Sequence, residues 1–147
     1  MKLKIVNKSN NESPFYASKN AAGMDLRAYL NQPVLLEPME RGLIPTGIYI
    51  QLQEGKEAQI RPRSGLAYKN GITVLNTPGT IDSDYIGEIK VILINLSKEP
   101  YVINNGERIA QMIISNHDNA ELIELDDVSE FKQTERGSGG FGHTGKN

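Results

Sequence analysis

The chain has 147 residues, of which 38% are hydrophobic, and a formal net charge of −2. This length predicts one domain with a sizeable core. The near balance of 16 basic and 18 acidic residues leaves no electrostatic footprint for nucleic acid or a membrane surface. With no cysteine, disulfides, thiolate catalysis and cysteine-based metal sites are excluded. No signal-peptide run or membrane-length apolar segment is visible, so we expect a cytoplasmic protein without nucleic-acid or membrane partners.

Short apolar segments bounded by turn residues follow one another at intervals of roughly 8–12 residues, which is typical of an all-β sandwich or barrel. Pro45 and Gly47 predict an edge or a bulge within one of these segments. Residues 64–69 form the one helical candidate, and Asn70-Gly71 closes it as a C-cap. We expect strands at residues 3–6, 21–29, 34–36, 43–52, 58–61, 72–75, 87–96, 101–103, 108–115 and 121–125.

The stretch from Asn76 to Lys90 reads as a hairpin broken at Pro78-Gly79. Asn76 offers a donor and an acceptor on one amide, a pattern that suits the edge of a flat heterocycle. Asp82 is a carboxylate on a turn, open to a ligand, and Tyr85 can lie against a sugar or a base. Asn and Asp are also ordinary turn formers, so the hairpin alone leaves a purely structural role open.

The chain ends in a glycine-rich tail, residues 136–147, which we expect to be mobile when empty. A frayed terminus is the plain interpretation. Against it, Phe141 supplies a stacking face among the glycines, Arg136 precedes it by five residues, and glycine lets backbone N–H groups crowd around phosphate oxygens.

Five segments stand out in order: 22–26 (AGMDL), 61–67 (RPRSGLA), 76–91, 106–113 (GERIAQMI) and the glycine-rich tail. Together they closely resemble the five motifs of the all-β, homotrimeric dUTP nucleotidohydrolases (dUTPases), over residues 22–145. The resemblance implies a jelly-roll-like β-barrel or sandwich of the dUTPase type. It also implies a single domain with a core at residues 1–125, a flexible arm at 126–147, and a homotrimer with shared active sites.

The resemblance implies hydrolysis of dUTP to dUMP and pyrophosphate with Mg²⁺ as cofactor. Asp82 is then the general base for a water that attacks the α-phosphorus, and Asp25 helps to fix Asp82 or the water shell of the metal. Ser64 contacts the triphosphate near the scissile oxygen, although an N-cap role is also open to it. Arg63 and the N–H groups of Ser64 and Gly65 add positive potential. No side chain need bind Mg²⁺ directly, because it takes phosphate and water ligands.

The same resemblance implies the binding contacts. The hairpin mimics a pairing partner for uracil through the Asn76 amide and main-chain groups, and Tyr85 stacks beneath deoxyribose and excludes a 2′-hydroxyl. The tail closes over the nucleotide, with Phe141 on uracil, and Arg108 is structural, paired with Glu88 or Asp25. His143 stays unassigned between a phosphate contact and a solvated side chain. The implied substrate-binding residues are Arg63, Ser64, Gly65, Asn76, Gly79, Thr80, Ile81, Asp82, Tyr85, Lys90, Gln111, Arg136, Phe141, Gly142 and Thr144.

Two other functions remain open. The related dCTP deaminases share the fold, and some give dUMP from dCTP, but Asp82 and the Arg63-Ser64-Gly65 run favour the hydrolase. A catalytically silent nucleotide-binding protein on the same fold is the second alternative. An intact acid, serine, tyrosine and tail argue against it.

Overall fold

The computed structural model describes residues 2–140, and in that part of the chain ten strands form three antiparallel sheets. The all-β class predicted from the strand spacing is therefore confirmed. One helix, α1 (Ser64–Asn70), and one 3₁₀ turn (Val128–Glu130) accompany the strands. The strands are β1 (Lys4–Asn7), β2 (Gly23–Arg27), β3 (Val34–Leu36), β4 (Arg41–Gln51), β5 (Lys56–Arg61), β6 (Ile72–Val74), β7 (Gly79–Ile81), β8 (Ile89–Asn95), β9 (Tyr101–Ile103) and β10 (Arg108–Asn116).

Two four-stranded sheets enclose the core. The first has the order β1-β4-β8-β6, the second β2-β10-β5-β7, and β3 pairs with β9 in a small third sheet. Side chains alternate along β2 and β8, so one face of each of these strands is buried and the other is more exposed. The buried face of β8, for example, carries Ile89, Val91 and Leu93, while β2 contributes Met24 and Leu26 to the same core cluster.

The long strand β4 lies between β1 and β8, and its register against β8 shifts between Pro45 and Ile48. The predicted bulge is therefore confirmed, and the edge-strand alternative is wrong. A bulge also explains the presence of Pro45, which has no N–H group, because the register shift removes the need for it to donate a hydrogen bond to β8. Inside the bulge, the buried Thr46 hydroxyl donates to the Ile89 carbonyl oxygen at 2.6 Å.

The predicted helical turn is confirmed as α1, and Gly71 ends it in the left-handed conformation with φ 67°. Glycine is favoured there because a side chain is strained at that backbone angle. Arg63 is the N-cap residue and makes no side-chain capping bond. The alternative that Ser64 caps this helix is therefore wrong: Ser64 is the first helical residue, so its hydroxyl is not used by the cap.

The strand expected at residues 121–125 is absent, since that segment has no regular secondary structure and its side chains are exposed. The apolar residues Leu122, Ile123 and Leu125 suit a short strand, but a strand also needs a neighbour to satisfy its backbone hydrogen bonds. The segment makes no such pairing within residues 2–140. Over the same residues, no helix is long and apolar enough to cross a membrane.

Candidate active site

The hairpin at residues 76–90, the pocket hairpin, connects the two large sheets. The strands that flank it, β6 and β8, pair with each other in the first sheet. Between them the chain crosses to the second sheet, where β7 pairs with β5. The sequence predicted the flanking strands but not β7, because Gly79 directly follows Pro78 and the pair indicates a turn. Each half of the hairpin is thus anchored on a different sheet.

The pocket hairpin borders a pocket of about 430 Å³, a size that suits a small-molecule ligand. The structure brings seven of the predicted binding residues to its wall. They are Asn76, Gly79, Thr80, Ile81, Asp82, Tyr85 and Lys90. The apolar remainder of the wall comes from Leu43, Ile60 and Ile92.

Close packing fixes the polar groups of this pocket. A β-carbon at Gly79 would lie 3.2 Å from Asn76 Nδ2, so the Asn76 amide rests on the main chain of β7. The Tyr85 hydroxyl donates to the Glu88 carbonyl oxygen at 2.9 Å, and the Tyr85 N–H donates to the Asp82 carbonyl oxygen at 3.2 Å. The Asp82 side chain is exposed at the rim.

Glu88 was missed by the sequence reasoning as a residue of this site. It lines the pocket, and its carboxylate accepts a hydrogen bond from Gly47 N at 2.8 Å and lies 3.8 Å from Lys90 Nζ. Glu88 therefore ties the β4 bulge to the hairpin and restrains Lys90. The available signal was the alternation around Ile89, which places residues 88 and 90 on one face.

A second group of predicted residues forms the arginine cluster: Asp25, Arg63, Arg108 and Gln111. Arg63 Nε donates to Asp25 Oδ1 at 2.9 Å, and Arg108 Nη1 lies 3.4 Å from Asp25 Oδ2. The Asp25 alternative for the ion pair of Arg108 is thus confirmed, and the Glu88 alternative is wrong because Glu88 faces Lys90. One carboxylate orients two guanidinium groups from different strand ends.

Gln111 is held against the same elements. Its Nε2 donates to the Pro62 carbonyl oxygen at 3.0 Å, and a β-carbon at Gly23 would lie 2.6 Å from its Oε1. Motifs 22–26, 61–67 and 106–113 therefore meet at one place through β2, β5 and β10.

Beside this cluster an open groove of about 520 Å³ runs past the start of α1. Gly65 lines it together with four cationic side chains: Arg27, Arg63, Lys69 and Arg108. Tyr101 and Glu107 form part of its wall. Burial, followed by the hydrogen bond to Glu107, raises the pKa of the Tyr101 phenol. Tyr101 is therefore an uncharged hydrogen-bond donor, and its hydroxyl occupies the Glu107 carboxylate. The net positive potential suits an anionic ligand.

The pocket hairpin and the arginine cluster are far apart within one chain. Asp25 on β2 pairs with Gln111 on β10. Asp82 follows the end of β7, and the registers of β7 with β5 and of β5 with β10 place it level with Ser115. Three steps between strands and four residues along them give a separation of about 20 Å. Asp25 therefore does not touch Asp82 of its own chain.

The arm is described only in part. Arg136 is exposed, and its Nε donates to the Gly139 carbonyl oxygen at 2.8 Å. The predictions for Phe141, Gly142, His143 and Thr144 fall outside the described residues. Within residues 2–140 no group of three or more acidic or histidine side chains gathers to hold a metal.

The all-β fold offers an amide edge, a carboxylate and an aromatic ring around one pocket, with a separate cationic groove, an arrangement that suits a nucleotide as ligand. Comparison with known proteins agrees with this interpretation. Residues 9–145 match the model of the dUTPase family. The chain therefore belongs to the dUTPase family, as its five motifs predicted.

Individual relatives extend over the same length. The deoxyuridine 5'-triphosphate nucleotidohydrolase of Cytophaga hutchinsonii is 56% identical over 144 residues, covering 98% of this chain and 92% of the relative. That of Finegoldia magna is 57% identical over 145 residues and covers 99% of each. Among solved structures, a variant dUTPase of Staphylococcus bacteriophage 80alpha with dUpNHpp has a TM-score of 0.86 at 25% identity, covering 98% of both chains. The fold is thus the predicted jelly-roll-like type of the dUTPases.

Proposed function

We propose that this chain hydrolyses dUTP to dUMP and pyrophosphate, supplying dUMP for thymidylate synthesis and keeping uracil out of DNA in the cytoplasm. One observation carries the proposal: the pocket hairpin brings Asn76, Asp82 and Tyr85 to the wall of one pocket of about 430 Å³. The relatives named above, dUTP nucleotidohydrolases at 56% and 57% identity, support the same reaction.

Base selection rests on the Asn76 amide and the main chain of residues 79–81. Uracil and cytosine present opposite donor and acceptor patterns at the same edge, so cytosine would leave buried groups of the pocket unpaired, a heavy cost. The contact between Gly79 and the Asn76 amide holds that amide in one place. Thymine differs by a methyl group and is excluded by the tight fit of the hairpin.

Tyr85 supplies the platform for the sugar. Its ring lines the pocket beside Asp82, and its hydroxyl is engaged by the Glu88 carbonyl oxygen. An aromatic face under the furanose favours deoxyribose and leaves no room for a 2′-hydroxyl, so UTP is rejected.

Asp82 acts as the general base. Its exposed position at the pocket wall allows it to take a proton from a water aligned with the α-phosphorus, and alignment offsets the weak basicity of a carboxylate. The Ser64 hydroxyl, which the helix cap leaves unused, donates to the oxygen that departs with pyrophosphate. Arg63, Gly65 and Gln111 bind the phosphates and stabilise the charge that develops there.

Mg²⁺ fits this donor set as a substrate-borne ion. Residues 2–140 provide no protein-only cage, and Mg²⁺ prefers to keep waters and phosphate ligands. Asp25 is the carboxylate suited to hold its water shell. When bound, the ion neutralises the triphosphate and keeps it in one conformation.

A homotrimer completes the site. Because the arginine cluster lies about 20 Å from Asp82 in one chain, the cluster that serves a pocket comes from a neighbouring copy, as a cyclic assembly permits. Exposed apolar side chains near the C-terminal end support such contacts, since surfaces of this kind are normally covered. They are Leu122, Ile123, Leu125, Val128 and Phe131.

The arm, residues 126–147, closes over the bound nucleotide. Arg136 and Thr144 contact the phosphates, Gly142 provides main-chain N–H groups, and Phe141 stacks on uracil. Ordering the arm costs free energy but excludes water from the reacting phosphate. The body of the domain ends before it, with the core at residues 1–125.

The test is to incubate the purified chain with Mg²⁺ and, separately, dUTP, dTTP, dCTP and UTP, and to identify the products by chromatography. We expect dUMP and pyrophosphate from dUTP alone. Ammonia or dUMP from dCTP would instead make the chain a deaminase. If no nucleotide is turned over, the catalytically silent alternative replaces the hydrolase.

A further inference from the structure

Gly87 lies against the ring of Tyr85. A β-carbon at position 87 would be 2.5 Å from the Tyr85 hydroxyl oxygen, 2.6 Å from its Cζ and 3.0 Å from its Cε2. These separations are well inside normal van der Waals contact, so the present position of the ring requires a residue without a side chain at 87.

The backbone gives no other reason for glycine here. Gly87 is not among the glycines with positive φ, which include Gly47 and Gly71. Alanine can therefore take the same backbone conformation without strain. What alanine cannot do is coexist with the Tyr85 ring in its present place.

The hydroxyl group at the end of the Tyr85 ring is also held by a hydrogen bond. The Tyr85 hydroxyl donates to the Glu88 carbonyl oxygen at 2.9 Å, and the Glu88 carboxylate accepts from Gly47 N at 2.8 Å. Residues 87 and 88 thus form a main-chain seat for the phenol, and the β4 bulge fixes that seat to the sheet.

We propose that Gly87 is a positioning residue that sets the place of the Tyr85 ring and, through it, the preference for deoxyribose over ribose; this rests on the proposed function. Tyr85 is 44% exposed, so its ring has solvent to move into. The atoms that meet the added β-carbon are the far end of a side chain rather than backbone. A substitution at 87 therefore displaces the ring and leaves the fold intact.

The experiment compares Gly87→Ala with the wild-type chain on dUTP and UTP. We expect the KM for dUTP to rise and the preference for dUTP over UTP to fall, each on the order of tenfold, because a small misplacement of a binding group is costly. The kcat for dUTP should change less than KM, since the atoms nearest to a β-carbon at 87 belong to the binding residue Tyr85. Unchanged KM and unchanged preference would overturn the proposal.

A double-mutant cycle separates this role from general damage to the hairpin. In a Tyr85→Ala background, Gly87→Ala should weaken binding of a non-hydrolysable imido analogue of dUTP no further, since no ring remains to be displaced. A loss as large as in the wild-type background would overturn the proposal. Ile86→Ala is the matched control, because Ile86 is the exposed neighbour outside the pocket, and it should leave KM and preference unchanged.

These experiments also distinguish failure of the proposed dUTP hydrolysis from failure of the proposed role of Gly87. A wild-type chain that fails to hydrolyse dUTP contradicts the proposed function, and the cycle is then read from analogue binding alone. Non-additive losses in that cycle support the positioning role of Gly87, and additive losses contradict it.

Discussion

The pocket hairpin and the arginine cluster each contain a carboxylate that the motifs single out, but the two carboxylates have different surroundings. Asp25 is engaged by Arg63 at 2.9 Å and by Arg108 at 3.4 Å. Asp82 is exposed at the pocket wall and makes no salt bridge within residues 2–140. One acid is occupied in orienting cations, and the other is free to meet a water.

This difference supports the roles proposed for them. Asp25 is occupied by the two guanidinium groups that it orients, whereas Asp82 lies at the pocket wall, where a nucleophilic water can approach it. In the proposed mechanism the hairpin supplies recognition and the base, whereas the cluster supplies the positive charge that binds phosphate.

Replacing the base should have the largest effect. Asp82→Asn keeps the size of the side chain but removes the proton acceptor, so kcat should fall by roughly 10²–10⁴-fold while the imido analogue of dUTP still binds. Steady-state kinetics and calorimetric titration measure the two quantities. Near-normal hydrolysis would show that Asp82 is not the base.

Removing the arm should reduce activity less than replacing the base does, and it should affect the pocket hairpin and the arginine cluster alike. A chain that ends before Arg136 should fold, keep its oligomeric state and lose kcat/KM for dUTP on the order of tenfold or more, because water is no longer excluded from the reacting phosphate. Sizing chromatography and kinetics provide the measurements. Full activity of the truncated chain would leave the arm without a catalytic role.

Removing the charge of Asp25 from the arginine cluster should have only a small effect on stability. The side chains of Asp25, Arg63 and Arg108 are 32–50% exposed, so Asp25→Asn should lower the free energy of unfolding by less than about 1 kcal/mol. Activity should fall because both arginines lose their orienting partner, but the choice of uracil over cytosine should not change. Denaturant titration and competition between dUTP and dCTP measure these effects. Altered base selection would contradict the division between the two regions.

The sequence predicted most of the architecture because its strands alternate cleanly and its turns carry Gly, Pro and Asn. It located α1, its glycine cap at Gly71 and the bulge near Pro45. It did not predict β7, which begins at the turn residues Pro78-Gly79, and it placed a strand at 121–125 on the regular spacing of short apolar segments. Strand pairing depends on partners distant in sequence, or on another chain, and local pattern does not contain that information.

The site was predicted less evenly. The motifs named the predicted residues of the pocket wall and offered Asp25 as a partner of Arg108. They gave no indication that Asp25 also binds Arg63 or that Glu88 ties Lys90 to the β4 bulge. Such contacts join residues tens of positions apart, and only the fold brings them together. The contact between Tyr85 and Gly87 is local in sequence but depends on the rotamer of the ring, which sequence does not specify.

The proposal that each active site is shared between two chains of a trimer is tested most directly by mixing two inactive variants. Asp82→Asn chains retain Ser64, and Ser64→Ala chains retain Asp82, so trimers assembled from both should contain sites that combine an intact Asp82 with an intact Ser64. Chains carrying different affinity tags are refolded together, and mixed trimers are purified through both tags. We expect dUTP hydrolysis far above either variant alone, because about one site in three of each mixed trimer combines the two intact residues. Mixed trimers no more active than the separate variants would contradict a site shared between chains.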